Sequence, residues 1–170
     1  MIFGRREPTL QELNSDAQAL MNFLMDEAQM RLKTQGGFQP FGASLAADGA
    51  LSLLTHKENP EIPARAIAER LTAQVRGMSE TGAMRAAGLA AGLAAGLAAD
   101  VRFGKQDTGE LTDAVRLHIE HRDGYCADIF VPYKIRSSRR RPEAKRRVRF
   151  SHPVAQESDR RFWVKAEDVS

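Results

Sequence analysis

Two periods of hydrophobic residues run along this chain, and each period predicts a different kind of element. A helical stripe, in which apolar residues recur every three or four positions, comprises Leu10, Leu13, Ala17, Leu20, Leu24 and Ala28. Gly36 and Gly37 end this helix, because glycine enters a left-handed C-terminal cap without a steric clash. Pro63 suits the first turn of a second helix, whose stripe comprises Ile67, Leu71, Val75 and Met78.

Alternation of larger and smaller or polar residues predicts a first β-hairpin around Asp48-Gly49. A three-residue loop over 47–49 pairs Leu45 with Leu51, whereas a two-residue loop would mix the two faces. The longer loop also places Gly49 at the position that needs a positive φ angle. We therefore predict the three-residue loop.

A second hairpin is predicted around Asp123-Gly124, where Val115, Leu117 and Ile119 alternate with polar residues. A three-residue loop over 122–124 pairs its apolar residues with one another on one face. On the opposite face the same register pairs His118 with Asp128 and Glu120 with Cys126. Pro132 cannot donate to a strand ladder, so the second strand ends near it or lies at an edge there.

A low-complexity stretch separates the two hairpins and allows two interpretations. Residues 86–99 contain three tandem AAGL units. A helix would stack the leucines in one row and Gly88, Gly92 and Gly96 in another, forming a groove that lets a helix approach closely. A strand would place the leucines on one face and the glycines on the other. Alanine favours a helix and each glycine costs about 1 kcal/mol there, so we prefer a helix through about Leu93, followed by a strand over 98–103.

The order of these elements predicts an α+β fold, with an antiparallel sheet of about five strands packed by two or three helices. Residues 1–135 form the predicted domain. Residues 136–170 are expected to be a basic arm and C-terminal tail, able to add one edge strand over 147–151 or near Phe162-Trp163.

The two hairpin sequences resemble a known group of proteins. The stretches PFGASLAADGALSL and AVRLHIEHRDGYCADIFVPYKI are similar to segments of small bacterial proteins of uncharacterised function, which share an EHR-(D/E)-G…PY hairpin. The resemblance covers about residues 10–135 and implies no activity. The order of elements is also similar to that of roadblock-type and profilin-like modules, which dimerise or bind partners, but a fold by itself does not define a function.

Charge is distributed unevenly along the chain. Residues 134–150 hold nine Lys or Arg and one acid, a local charge of +8, whereas the whole chain carries +3. The remaining 153 residues therefore carry −5. Such a basic segment can bind phosphates with a strong dependence on salt. The candidate polyanion-binding residues are Arg139, Arg140, Arg141, Lys145, Arg146, Arg147 and Arg149.

Candidates for chemistry are few. His118, Glu120 and Asp128 share one face of the second hairpin and form a weak candidate polar site. We expect them to be solvated, and the third hypothesis is an enzyme that uses them as a metal or acid/base site. His118 and His121 point to opposite faces of a strand, so they cannot bind one metal ion together. Cys126 lacks the helix N-terminus or glycine-rich elbow that activates a thiolate. The sequence also contains no phosphate-binding loop, HExxH or GxSxG motif.

We therefore expect a non-enzymatic protein without a cofactor or a metal. The leading hypothesis is an interaction or homodimerisation module. It rests on the wide Met and Leu face of the first helix, on the row of glycines in the AAGL repeat, and on Phe23 and Met30, which lie outside the helical stripe. The alternative hypothesis is binding of nucleic acid or another polyanion, or of an acidic protein, through the basic segment. The single cysteine cannot form an internal disulfide. No uncharged run reaches the roughly 20 residues needed to span a bilayer, so we expect a cytoplasmic protein with no membrane partner.

Overall fold

A computed structural model describes residues 10–56, 59, 61–93, 113–136 and 146–164 of the protein. Within these residues the chain forms the helices α1 (Leu10–Gln35) and α2 (Ala64–Ser79). It also forms seven strands: β1 (Phe41–Ala46), β2 (Leu51–Leu54), β3 (Met84–Leu93), β4 (Asp113–His121), β5 (Cys126–Arg136), β6 (Arg147–Phe150) and β7 (Val154–Glu157). All strand pairs are antiparallel. The predicted α+β class is confirmed, with more strands than expected.

The sheet is covered on both faces near its centre. Its strands follow the order β2-β1-β3-β4-β5-β6, and β7 also pairs with β5. Helix α1 packs on one face, against apolar residues of β1, β3, β4 and β5. Helix α2 connects β2 to β3 and packs on the other face, where it encloses a second, smaller core. Among the described residues, no helix combines the length and the apolar character that crossing a bilayer requires.

The predicted stripe of α1 faces the larger core. Its fully buried members include Leu20, Leu24, Ala28 and Leu32. The helix ends as predicted at Gly36, whose φ is +79°. The side chains of residues 10–13 lie outside the described part of the chain.

The two apolar residues beside this stripe behave differently. Phe23, which we expected outside the buried face, is partly buried and packs against the core. Met30 is 47% exposed. Among residues 14–35 of this helix, Met30 therefore remains as the exposed large apolar residue.

Both hairpins have the register predicted from alternation. The observed cross-strand pairs include Leu45 with Leu51, Leu117 with Ile129, His118 with Asp128 and Glu120 with Cys126. The turn residues Gly49 and Gly124 have φ angles of +94° and +138°, where a side chain would strain the backbone. The three-residue loops are therefore confirmed.

The preferred helical interpretation of the AAGL repeat is wrong, since its described part lies in β3, between β1 and β4. A Cβ atom at Gly88 would lie 2.7 Å from Cδ1 of Leu24 and 3.2 Å from the backbone oxygen of His118. Glycine at this position thus lets α1 and β4 approach β3 closely. Pairing with two strands outweighs the local helical preference of alanine. The predicted strand over 98–103 lies outside the described residues.

β6 and β7 together form one interrupted edge strand along β5. Tyr133 pairs with Phe150 and Phe130 pairs with Val154, so three residues lie opposite two between these pairs. This one-residue excess is a β-bulge. Pro132 lies opposite the bulge and its carbonyl accepts a hydrogen bond from Ser151 (2.8 Å). Its ring nitrogen faces the same outer edge, so β5 continues through Pro132 to Arg136 without losing a bond to β4.

The described C-terminal residues, 146–164, are part of the folded body. β5 extends to Arg136, across the boundary predicted at residue 135. Of the two positions predicted for a last strand, 147–151 is confirmed by β6, whereas Phe162 and Trp163 form a bend. Phe162 is buried in the core beneath α2. Residues 137–145 of the predicted arm lie outside the described part.

Candidate functional site

His118, Glu120 and Asp128 lie together and are enclosed. His118 is 2% exposed and Glu120 is fully buried, while the Asp128 side chain is 14% exposed. Our expectation that these groups are solvated is therefore wrong. Residues 158–163, here called the C-terminal strap, cross this face of the sheet and cover it. Alternation along the strands placed the three side chains correctly, but it carries no information on what lies above them.

The His118 ring bridges the two carboxylates. Its Nδ1 lies 2.9 Å from Oδ1 of Asp128 and its Nε2 lies 3.0 Å from Oε2 of Glu120. A neutral imidazole has one N–H, whereas the imidazolium form can donate from both nitrogens. Both contacts are therefore hydrogen bonds only when the ring carries its second proton. In that form His118 is a positive charge between two negative ones.

Glu120 holds the backbone of the C-terminal strap. Its Oε2 accepts hydrogen bonds from the N–H groups of Arg161 (2.9 Å) and Phe162 (3.1 Å). Its Oε1 accepts one from the N–H of Trp163 (2.8 Å). Three successive amides converge on one carboxylate because the chain bends over residues 161–163. Nη1 of Arg160 lies 3.4 Å from Oε1 and adds a positive charge beside the buried acid.

These contacts keep both carboxylates ionised. Burial raises the pKa of Glu120, but the hydrogen bonds from His118 and from the strap amides outweigh it, so the pKa lies below its ordinary value. Burial also raises the pKa of Asp128, but the hydrogen bond and the charge of His118 lower this pKa by more than burial raises it. The guanidinium groups of Arg116 and Arg161 add to this effect, and the pKa of Asp128 is about 2.

Helix α2 holds the other side of the strap. Nε of Arg76 donates to the carbonyl of Arg161. The hydroxyl of Ser79 lies 2.7 Å from the carbonyl of Arg76 and 3.3 Å from that of Phe162, so these two carbonyls share its one proton. The Phe162 side chain is buried in the α2 core, whose other members include Ile67, Leu71 and Val75. Its ring meets the His118 ring edge to face, with centroids 5.2 Å apart. The strap is therefore bound through main chain, charge and one apolar anchor.

Cys126 lies beside this cluster, and its geometry raises the question of a metal. Ligand atoms of His118, Glu120 and Cys126 all lie within 4.8 Å of one another. However, both ring nitrogens of His118 already face carboxylates and both oxygens of Glu120 accept backbone hydrogen bonds. Burial and then the charge of Glu120 raise the pKa of Cys126 to about 11, which disfavours the thiolate that a nucleophilic reaction needs. The arrangement suits anchoring of the strap better than chemistry.

His121 makes a separate polar contact on the opposite side of the sheet. Its Nε2 lies 2.8 Å from Oδ2 of Asp16 in α1, whose Oδ1 accepts a hydrogen bond from Arg85 (2.9 Å). The prediction that His118 and His121 point in opposite directions is therefore confirmed. Sequence reasoning missed Asp16, because nothing in the helical pattern distinguishes it from a solvated acid.

A second candidate site is formed by Lys134, Arg136, Arg147 and Arg149, here called the basic ladder. Lys134 lies directly opposite Arg149, and Arg136 lies directly opposite Arg147. All four are exposed, while the residues between them pack toward α1. The structure thus brings together two predicted cations and two others that the candidate set omitted. Alternation along the two strands could have identified Lys134 and Arg136.

Of the remaining predicted cations, the structure describes Arg146. Arg146 binds the end of α1, where its amide donates to the carbonyl of Lys33 (3.1 Å) and its Nη1 donates to that of Thr34 (3.3 Å). A cation at a helix C-terminus is stabilised by the unpaired carbonyls there. Four of the predicted residues, Arg139, Arg140, Arg141 and Lys145, lie outside the described part of the chain.

Comparison of the chain with protein-family models, with curated proteins and with solved structures found no match.

Proposed function

We propose that this protein is a non-enzymatic nucleic-acid-binding protein. It contacts phosphates through the basic ladder and the other cations of the basic segment, residues 134–150. The observation that carries this proposal is the direct cross-strand pairing of like charges on an exposed face. Residues 137–145 connect the two strands at the Arg136–Arg147 end.

The ladder is costly for the isolated protein. Like charges directly opposite one another destabilise a sheet, by roughly 0.2–1 kcal/mol for each pair. None of Arg136, Arg147 and Arg149 has an ion-pair partner within the described ranges. A phosphate backbone above the ladder would offset this repulsion and release its own counterions.

A simpler role for edge cations is to keep the edge strand from pairing with other chains. That role needs charges on β6 alone, which is the edge strand here. Lys134 and Arg136 lie on β5, the strand next to the edge strand. They raise the number of cations in the ladder from two to four, but they do not protect the edge. The doubling therefore favours a ligand over edge protection.

The chemistry of the ladder predicts binding without sequence preference. Tyr133 and Phe150 pair on the α1 side of the same two strands, and Phe130 is buried. Within the described part of this face, no exposed aromatic ring is available for stacking on bases. Contacts would therefore go to phosphates, which fix position but carry no sequence information.

The test is a salt titration of nucleic-acid binding with full-length protein. Fluorescence anisotropy would follow a labelled 30-base DNA strand and the corresponding duplex, for wild type and for the double variant R147Q/R149Q. We expect the slope of log K against log salt to become shallower by about 1.5, because each phosphate contact contributes about 0.7–0.9. The matched control is R65Q/R70Q on α2, which removes the same charge from exposed positions.

Equal losses in the ladder variant and the control would contradict the proposal, since net charge alone would then explain binding. Binding of polyglutamate with the affinity seen for DNA would instead favour an acidic protein as the partner.

Homodimerisation stays a prediction, and two of the features on which it rested are packed within the molecule. Phe23 packs within the chain, and Gly88 is occupied by Leu24 of the same molecule. Of the two apolar residues beside the helical stripe, Phe23 and Met30, it is Met30 that remains exposed.

A further inference from the structure

The C-terminal strap occupies a groove between α2 and the strands β3 and β4. Glu120 accepts hydrogen bonds from the backbone amides of the strap, and the side chains of Arg76 and Ser79 contact its carbonyls. The Phe162 side chain packs in an apolar pocket beneath α2. Nη2 of Arg161 lies 3.6 Å from Oδ2 of Asp128. Main-chain contacts combined with one aromatic pocket and flanking charges are the features by which proteins recognise short peptide segments.

We propose that this groove is a binding site for an Arg-Arg-Phe-Trp segment and that its partner is a second copy of this chain, whose residues 154–163 occupy it by exchange. The exchanged unit comprises β7 and the C-terminal strap. Every contact that holds this unit within one molecule is available in a second molecule of the same sequence. Exchange of identical elements is a low-cost route to a dimer for that reason.

The exchanged unit is weakly attached outside the groove. All four residues of β7 are exposed, so backbone pairing with β5 rather than apolar burial holds this strand. Within the groove, the indole Nε1 of Trp163 is buried without a hydrogen-bond partner among the described residues, and opening of the strap relieves this cost by exposing the indole to water. Local opening of residues 154–163 therefore sacrifices few contacts beyond those that a second groove restores.

The hinge for this exchange is the β-bulge over 151–153. The three residues Ser151, His152 and Pro153 are exposed, and the chain changes register along β5 at this point. Such an irregular, exposed connection can redirect β7 away from β5 without disturbing β6. The dimer would thus keep the basic ladder of each molecule intact.

The first experiment mixes two full-length variants and measures dimers by native mass spectrometry at high micromolar concentration. F162A keeps an intact groove and loses its apolar anchor, while E120Q keeps an intact strap and loses the charge of the groove. We expect heterodimers in the mixture, because the intact strap of E120Q fits the intact groove of F162A. Each variant alone, in which no intact groove meets an intact strap, should form far fewer dimers.

The second experiment does not depend on folding of the E120Q variant. A fluorescent peptide with the sequence of residues 157–164, ESDRRFWV, is titrated into full-length wild type and full-length F162A. We expect tighter binding to F162A, whose slot is vacant, than to wild type, whose own strap competes. The matched peptide with Ala at position 162 should bind at least about tenfold more weakly, as expected when an anchoring aromatic is removed.

Two outcomes would overturn the proposal. If F162A binds neither peptide and all mixtures stay monomeric, the groove accepts its segment only within one molecule. If the peptide binds but no heterodimer forms, the groove recognises this segment but a second copy is not its partner.

Discussion

Around His118 the β4–β5 hairpin presents two faces that are both buried, yet the physical reasons for their burial differ. On the α1 side Val115, Leu117 and Ile119 enter a continuous apolar core. On the α2 side His118 and Glu120 lie beneath the C-terminal strap. The first face is stabilised by exclusion of water, which is non-directional and accepts any apolar partner. The second face holds ionised groups and needs specific donors.

This difference separates stability from specificity. Burial of an ionised carboxylate costs several kcal/mol unless hydrogen bonds and opposite charges compensate it. For Glu120 much of that compensation comes from the strap, through three amides and Arg160. The polar face therefore selects one segment of the chain to cover it, whereas the apolar face contributes stability to the whole domain.

The largest loss of stability is expected from E120A, which removes the central carboxylate of the polar face and leaves the apolar face unchanged. Three strap amides and the His118 ring lose their acceptor, so the free energy of unfolding should fall by about 3–5 kcal/mol, as for other broken buried ion pairs. The emission of Trp163, the single tryptophan of the chain, should shift to the red as the strap detaches. Urea denaturation and fluorescence measure both effects. E157A, at an exposed residue of β7, is the control and should leave both unchanged.

L117A tests the apolar face in the same hairpin. Leu117 is fully buried, so its truncation should cost about 3 kcal/mol, within the range for large-to-small substitutions in cores. The native emission of Trp163 should not change, because the strap lies on the opposite side of the sheet. A red shift equal to that of E120A would mean that the two faces do not act independently.

The loss of stability in acid should come from the polar face, and in particular from Asp128. The pKa of Asp128 is about 2, below its ordinary value of 3.8, so the carboxylate stabilises the fold above about pH 4 and this contribution is lost as the pH falls toward 2. The loss amounts to about 2 kcal/mol. D128N should therefore be less stable than wild type at neutral pH and show a shallower decline in acid. D26N, at an exposed acid of α1, is the matched control. Equal acid profiles for D128N and wild type would contradict this assignment.

The smallest effect concerns the glycines of the AAGL repeat. G88A places a methyl group against Leu24 and the backbone of His118. It should cost about 1 kcal/mol, at the low end of overpacking, because the contact is with the end of the Leu24 side chain, which can shift by rotation about its χ angles. G92A meets no atom within 4 Å, so its stability should stay within about 0.5 kcal/mol of wild type. Thermal or urea unfolding of the two variants compares them directly. Equal destabilisation would argue against close packing of α1 on Gly88.

The hairpins were predictable because their information is local. Apolar alternation around Leu117 permits one register, and the glycine at each turn selects one loop length, so the pairing of His118 with Asp128 followed directly. The AAGL repeat lacked such information. Its alanines prefer a helix in isolation, and only pairing with strands on both sides made it β3.

The environment of the candidate sites was decided by contacts between distant parts of the chain. Glu120 meets amides about 40 residues further along the sequence, and nothing in the periodicity of either segment marks that meeting. The same limit applies to Arg146, whose charge appeared free in the sequence but binds the end of α1.

By itself the sequence determined the α+β class, the helical face of α1 and the register of both hairpins, since side-chain period and turn chemistry act over a few residues. Tertiary structure alone decided that β3 is a strand, that like charges stack in the basic ladder and that His118 and Glu120 are enclosed. Those outcomes depend on which segments meet, and long-range packing, rather than local preference, sets the free energy of that choice.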